Sequence, residues 1–110
     1  MPPKVFLGEF EQMVLLAILQ RNDNAYGLEV RQELERSAGR EVSRGAFYTT
    51  LDRMEAKGYV TWKKARSDGD RGGMPQRLFR VTAAGVRALR HSRKALTNLW
   101  RGLDEVLGAS

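Results

Sequence analysis

The sequence predicts a mainly α fold with one small β-hairpin. Three observations carry that prediction. Apolar residues recur at helical spacing in three successive segments before residue 58. The spacing then changes to alternation at Val60–Lys63 and again at Leu78–Thr82. A last helical stripe runs from Leu89 to Leu107.

The 110 residues suffice for one modest core and not for two. With 42% hydrophobic and 29% charged residues, the composition is globular rather than disordered. The absence of cysteine excludes disulfides, thiol nucleophiles and thiolate metal sites. The single histidine, His91, argues against a catalytic triad and against a multi-histidine zinc site, so neither metal nor cofactor is expected. No apolar run reaches the roughly 18 residues of a membrane span, and the start shows no signal-peptide pattern. A cytoplasmic protein with no membrane partner is the expectation.

The first helix is expected over Phe6–Leu19. Phe10, Met13, Val14, Ala17 and Ile18 follow the i, i+3, i+4, i+7, i+8 pattern. Leu15, Leu16 and Leu19 make it apolar nearly all round, so it is either a central core helix or one whose second side meets another subunit. Asn24 is placed to cap a second helix, Ala25 to about Ser37, with Tyr26, Val30 and Leu34 as its stripe. Gly39 sits where a helix ends left-handed. Ser43 opens a third helix whose buried face is Phe47, Leu51 and Met54. Its opposite face holds Gly45, Thr49, Asp52, Arg53 and Ala56. Val60 and Trp62 alternate with Thr61 and Lys63 as in a half-buried strand, and Phe79 and Val81 point inward from a second. The glycine-rich loop between them, Arg66 to Gln76, is longer than most hairpin loops. Thr82 caps the last helix, expected to run about 25 residues to Leu107, roughly 37 Å, with Leu89, Leu96, Leu99, Trp100, Leu103, Val106 and Leu107 as its stripe. A helix that overhangs so small a domain needs a partner for that stripe.

Helix, helix, helix, hairpin, helix is the order of a winged helix-turn-helix, here followed by a long C-terminal dimerisation helix. The division expected is 1–82 for the winged unit and 83–110 for the dimerisation helix. Net charge is +6, and 15 of the 19 basic residues but only 5 of the 13 acids lie between Arg36 and Lys94. A basic middle between mildly acidic ends fits either a local polyanion site or a solvated surface. The third helix suits the first reading. Its N-terminus offers free N–H groups and the positive end of the helix dipole. Gly45 and Ala46 lack bulk, and Thr49, Thr50 and Arg53 can reach base edges or phosphates. Three other functions compete with a sequence-specific DNA-binding regulator. One is a protein-interaction module built on the last helix, a second is a sequence-blind nucleic-acid binder, and the third is an enzyme. The enzyme is the weakest, because the glycine loop lacks GxxxxGK[ST] and the carboxylates fall on helix surfaces.

The strings LGEFEQMVLLAIL, NAYGLEV, VSRGAFYTTLDRMEAKGYV and RLFRVTAAG, spanning Leu7 to Gly85, resemble the PadR family of bacterial transcriptional regulators, in its short form with a single C-terminal helix. The family pattern in the third helix appears as Gly45, Tyr48, Arg53-Met54-Glu55 and Gly58, with Thr49 in place of the usual proline. The resemblance implies a homodimer on a near-palindromic operator of double-stranded DNA, usually a repressor. It implies phosphate contacts from Tyr26, Ser43 and Tyr48, and base edges facing Gly45, Ala46, Thr49 and Thr50. Arg44 lies on the flank of the same helix. The wing reads Gly73-Met74-Pro75-Gln76-Arg77-Leu78-Phe79. Met74 and Gln76 replace two basic positions, which weakens the wing contacts or shifts them to Lys63, Lys64 and Arg71 beside Arg77.

Tyr48 is either a phosphate contact or a core aromatic with its hydroxyl at the surface. Arg53 either binds DNA or pairs with an acid of its own helix. The expected dimer interface comprises Phe10, Met13, Val14, Leu89, Leu96, Leu99, Trp100, Leu103 and Leu107. Trp100 is either an anchor of that interface or, as the resemblance implies, a flat wall for a small planar hydrophobic effector held between subunits.

Overall fold

The computed structural model describes residues 7–65 and 76–108. Phe6, Arg71 and the rest of the glycine loop at 66–75 lie outside the described residues. The elements are α1 (Glu9–Gln20), β1 (Ala25–Tyr26), α2 (Gly27–Ala38), α3 (Arg44–Ala56), β2 (Val60–Ala65), β3 (Gln76–Val81), α4 (Ala83–Trp100) and α5 (Asp104–Leu107). The fold is a winged helix-turn-helix with a long helix after the wing.

The caps explain the helix boundaries. The Ser43 hydroxyl accepts from the Ala46 N–H at 3.1 Å, and Thr82 Oγ1 accepts from the Gly85 N–H at 3.0 Å. Gly39 ends α2 at φ +62°, a conformation that costs a residue with Cβ roughly 1 kcal/mol. Phe47, Leu51 and Met54 are buried as their spacing predicts, and so are Val60, Phe79 and Val81. α1 lies at the centre, packed by α2, β3 and α4, with Val14, Leu15 and Ile18 wholly inaccessible.

Two elements differ from expectation. Ala25 and Tyr26 do not begin the second helix. They form a short strand that pairs antiparallel with β3, Ala25 opposite Phe79 and Tyr26 opposite Leu78. The sheet is therefore three-stranded, ordered β1-β3-β2. Asp23 secures the junction, its Oδ1 accepting from the Val81 N–H at 2.7 Å. The helix consequently starts at Gly27, where Tyr26 rather than Asn24 is the N-cap and its N–H donates to Glu29 Oε1 at 2.9 Å.

The last helix is also shorter than its leucine stripe suggests. α4 stops at Trp100 after 18 residues, Gly102 turns the chain at φ +80°, and the four-residue α5 follows. Leu103, Val106 and Leu107 of the expected stripe lie beyond the break and are exposed.

The start of α4 is fixed by contact rather than by capping alone. A Cβ on Gly85 would collide with the Tyr59 carbonyl oxygen and come within 2.7 Å of Val81 Cγ1. The oxygen is backbone, held by the Thr82 N–H at 3.0 Å, and cannot move aside. Gly85→Ala is expected to lower stability by about 1–3 kcal/mol. Urea denaturation checks this, and an unchanged midpoint would refute the close packing of α4 on the β2 entry.

Candidate nucleic-acid interface

α3 presents its expected outer face. Ser43, Arg44, Gly45, Ala46, Thr49, Asp52 and Arg53 are exposed, and nothing lies within 4 Å of where a Gly45 Cβ would point. The N-terminal turn thus offers backbone N–H groups with little side-chain bulk over them.

Thr50 requires a correction. It is 5% exposed, and its hydroxyl donates to the Ala46 carbonyl at 3.0 Å. It lies about 100° around the helix from Thr49, which turns it to the core side, so it is not a base-facing residue in this conformation. Arg53 is exposed, but its partner is not an acid of its own helix. Its Nε lies 3.7 Å from Glu11 Oε2 of α1. Glu11 also meets Lys57 Nζ at 3.3 Å and accepts from the Gly8 N–H at 2.9 Å. Burial pushes its carboxyl up, but Gly8, Lys57 and Arg53 together outweigh burial and hold it below the usual carboxylate range.

Tyr48 combines both of its readings. Its ring packs edge-on against Phe47 at 5.1 Å, and its hydroxyl reaches Gly27 at the start of α2. The ring is also the centre of a cationic stack. Arg44 lies 5.7 Å and Arg77 5.8 Å from its centroid, and Arg77 is 4.6 Å from the Trp62 ring. Arg77 also lies 3.6 Å from Asp52 Oδ1. The base of the wing is thereby joined to α3. Lys63 and Lys64 are exposed on β2, opposite Leu78 and Arg77, and neither has an ion pair among the described residues. Tyr26 is half-buried at the β1–α2 junction. The sequence pattern places Asp52 on the outer face of α3 and Trp62 on a half-buried strand, without giving either a role. Both come to notice only through Arg77, which lies 25 positions from Asp52 along the chain.

A second surface is apolar. Leu96, Leu99, Trp100, Leu103, Val106 and Leu107 are between 41% and 80% exposed in the single chain, more than an isolated small protein ordinarily shows in one stretch. A groove of about 180 Å³ between α1 and α2 is lined by Met13, Leu16, Ala17 and Leu34 among others. Glu33 lies in the same wall, held by Arg21 at 3.0 Å, Arg36 at 3.2 Å and the Ser37 hydroxyl. The Ser37 bond is the main reason its carboxyl sits below its ordinary value, against desolvation that raises it.

Two expected interface residues require correction. Val14 is inaccessible and Leu89 is 9% exposed, because both fill the protomer's own core. Phe10 and Met13 are half-buried, with the Arg40 guanidinium 4.9 Å over the Phe10 ring. Leu16, 49% exposed, is an α1 residue outside the expected interface set that the single chain leaves open. The signal was its position one turn on from Met13.

The PadR-like transcriptional regulator family matches residues 15–91, which runs from within α1 through α2, α3 and the wing strands to the ninth residue of α4. A transcriptional regulator of Mycobacterium tuberculosis is 39% identical over 105 residues, covering 93% of this chain and 91% of its own. The chain belongs to the PadR-like family of transcriptional regulators. The family is one of regulators and not of enzymes. Among solved structures, a PadR-like transcriptional regulator of Bacillus cereus shares the fold at TM-score 0.70 and 20% identity, covering 92% of this chain and 93% of its own. Bacillus subtilis PadR in complex with operator DNA is more distant, with TM-score 0.59, 14% identity, and coverage of 72% of this chain and 45% of that one. No helix among the described residues of this PadR-like chain is long and apolar enough to cross a membrane. No group of three or more potential metal ligands occurs among them.

Proposed function

We propose that this PadR-like regulator acts as a homodimer that binds a near-palindromic operator in double-stranded DNA and represses transcription. The observation that carries the reading is the exposed face at the start of α3, Gly45, Ala46 and Thr49, on a helix that Arg77 of the wing meets at Tyr48. Residues 1–82 would form the DNA-binding unit and 83–110 the clasp. Tyr26, Ser43, Arg44 and Tyr48 would hold phosphates at the start of α2 and α3, and Lys63, Lys64 and Arg77 would hold them along the wing. The solved complex of the distant Bacillus subtilis PadR with operator DNA supports duplex DNA as the ligand.

The clasp is supported by the exposed apolar stretch from Leu96 to Leu107 and by charge. α4 carries Arg87, Arg90, Arg93 and Lys94 and no acid, whereas α1 and α2 together carry five glutamates and two arginines. The face of α1 with Phe10, Met13 and Leu16 would receive α4 of the second copy. Trp100, half-exposed where α4 ends, would offer a planar hydrophobic effector a stacking wall between subunits. Such an effector must bind the released state better than the DNA-bound state in order to act. Saturable quenching of Trp100 fluorescence by planar drugs is expected, with no binding by Trp100→Ala in equilibrium dialysis; binding that survives the substitution would place the ligand elsewhere.

Electrophoretic titration tests the function itself. Binding to the protein's own upstream region should exceed binding to random duplex. It should weaken roughly 10³–10⁵-fold between 50 and 200 mM salt if six to ten phosphates are contacted. Equal affinity for every duplex at every salt concentration would rule out sequence-specific regulation.

A further inference from the structure

Resting on the DNA-binding reading, we propose that Asp52 is a specificity-determining residue that changes partner when α3 enters the groove. It pairs with Arg77 in the free protein and with a cytosine amino group in the matched complex. The ion pair is one of the contacts that join the wing to the recognition helix. Arg77 comes from β3, its guanidinium lies 4.6 Å from Trp62 and 5.8 Å from Tyr48, and its Nη1 is 3.6 Å from Asp52 Oδ1. The two rings restrict where the guanidinium can sit, and Asp52 lies beside it as its counter-charge.

Asp52 stands in an unexpected place for an acid. It shares the outer face of α3 with Gly45, Thr49 and Ala56, and its side chain is 66% exposed. Any duplex that approaches this face brings phosphates toward a carboxylate. It must also compete with that carboxylate for Arg77. A sequence-blind encounter gains only phosphate contacts, so it bears both penalties without return. A matched sequence that lets α3 settle into the major groove brings base edges to the same face. Cytosine N4 is a donor there, and a carboxylate is a suitable acceptor for it. Asp52 is then satisfied by the base and Arg77 is released to the backbone. The carboxylate therefore subtracts from random binding and not from matched binding, which is a specificity device.

The test uses the full-length protein, a duplex selected from a random library, and a scrambled duplex of the same length. Asp52→Asn keeps the shape of the side chain and removes its charge. Asp52 is exposed and Arg77 is partly so, and thermal unfolding of each variant confirms that it is folded. Asp52→Asn is expected to tighten scrambled-duplex binding about three- to tenfold at low salt and to steepen its log–log salt slope by about one unit, the value of one added phosphate contact. Affinity for the selected duplex should stay level or fall, and repeated selection with the variant should lose a cytosine at one position of each half-site. In an Arg77→Gln background, Asp52→Asn should steepen the slope by clearly less, because only the direct repulsion of phosphates is then relieved. An equal gain on both duplexes, no gain on either, or a steepening undiminished without Arg77 would overturn the proposal. Failure of the unaltered protein to bind any duplex would overturn the DNA-binding reading itself.

Discussion

Gly45→Glu is expected to abolish operator binding, weakening it by at least about 100-fold, while leaving the fold intact. The two effects separate because of where Gly45 sits. Nothing lies within 4 Å of a Cβ built there, so the new side chain meets open space. It falls in the first turn of α3, whose first-turn residues include no acid. A carboxylate there interacts favourably with the helix dipole, by roughly 0.3–1 kcal/mol, and glutamate is a better helix former than glycine. Stability therefore holds or rises. Binding fails for the opposite electrostatic reason. The turn that should approach phosphates and base edges now carries a negative charge and a long side chain. Urea denaturation and electrophoretic titration of one preparation read both effects. A variant that binds normally would show that this turn does not enter the groove.

Leu99→Asp is expected to convert the protein to a monomer and to weaken operator binding by about 10²–10⁴-fold through lost bivalency. Leu99 is 73% exposed in the single chain, so its replacement removes nothing from the protomer's own core. Each large apolar side chain buried between two copies contributes about 1.5–3 kcal/mol. A carboxylate in the middle of that stripe forfeits its own share and must also be desolvated. Light scattering at micromolar concentration reads the mass, and each monomer should retain only weak, salt-sensitive affinity for a half-site. A variant that still scatters as a dimer would place the interface elsewhere on the chain.

The parts of this molecule that were legible in its sequence are those set by local rules. Ser43 and Thr82 announced two helix starts, Gly39 announced an end, and Phe47, Leu51 and Met54 marked a buried face at their spacing. The parts that were not legible depend on contacts distant in sequence. β1 has two residues, too few for any period, and exists because β3 lies beside it. The Glu11–Arg53 and Asp52–Arg77 pairs join residues 42 and 25 positions apart. Apolar periodicity finds a stripe but not what covers it. Val14 and Leu89 therefore read the same as Leu99, although the first two are filled by the chain itself and the last is open. Thr50 illustrates a finer limit. A hydroxyl next to the recognition face looks available in sequence, but here it is spent on the carbonyl one turn back.

Hydroxyl-radical footprinting on a duplex selected from a random library most directly tests whether two clasped copies place their recognition helices in one duplex. Two chains per duplex are expected, with two protected patches related by two-fold symmetry, one or two helical turns apart at about 34–36 Å per turn. A single patch held by one chain, or protection spread evenly along every sequence, would contradict that placement.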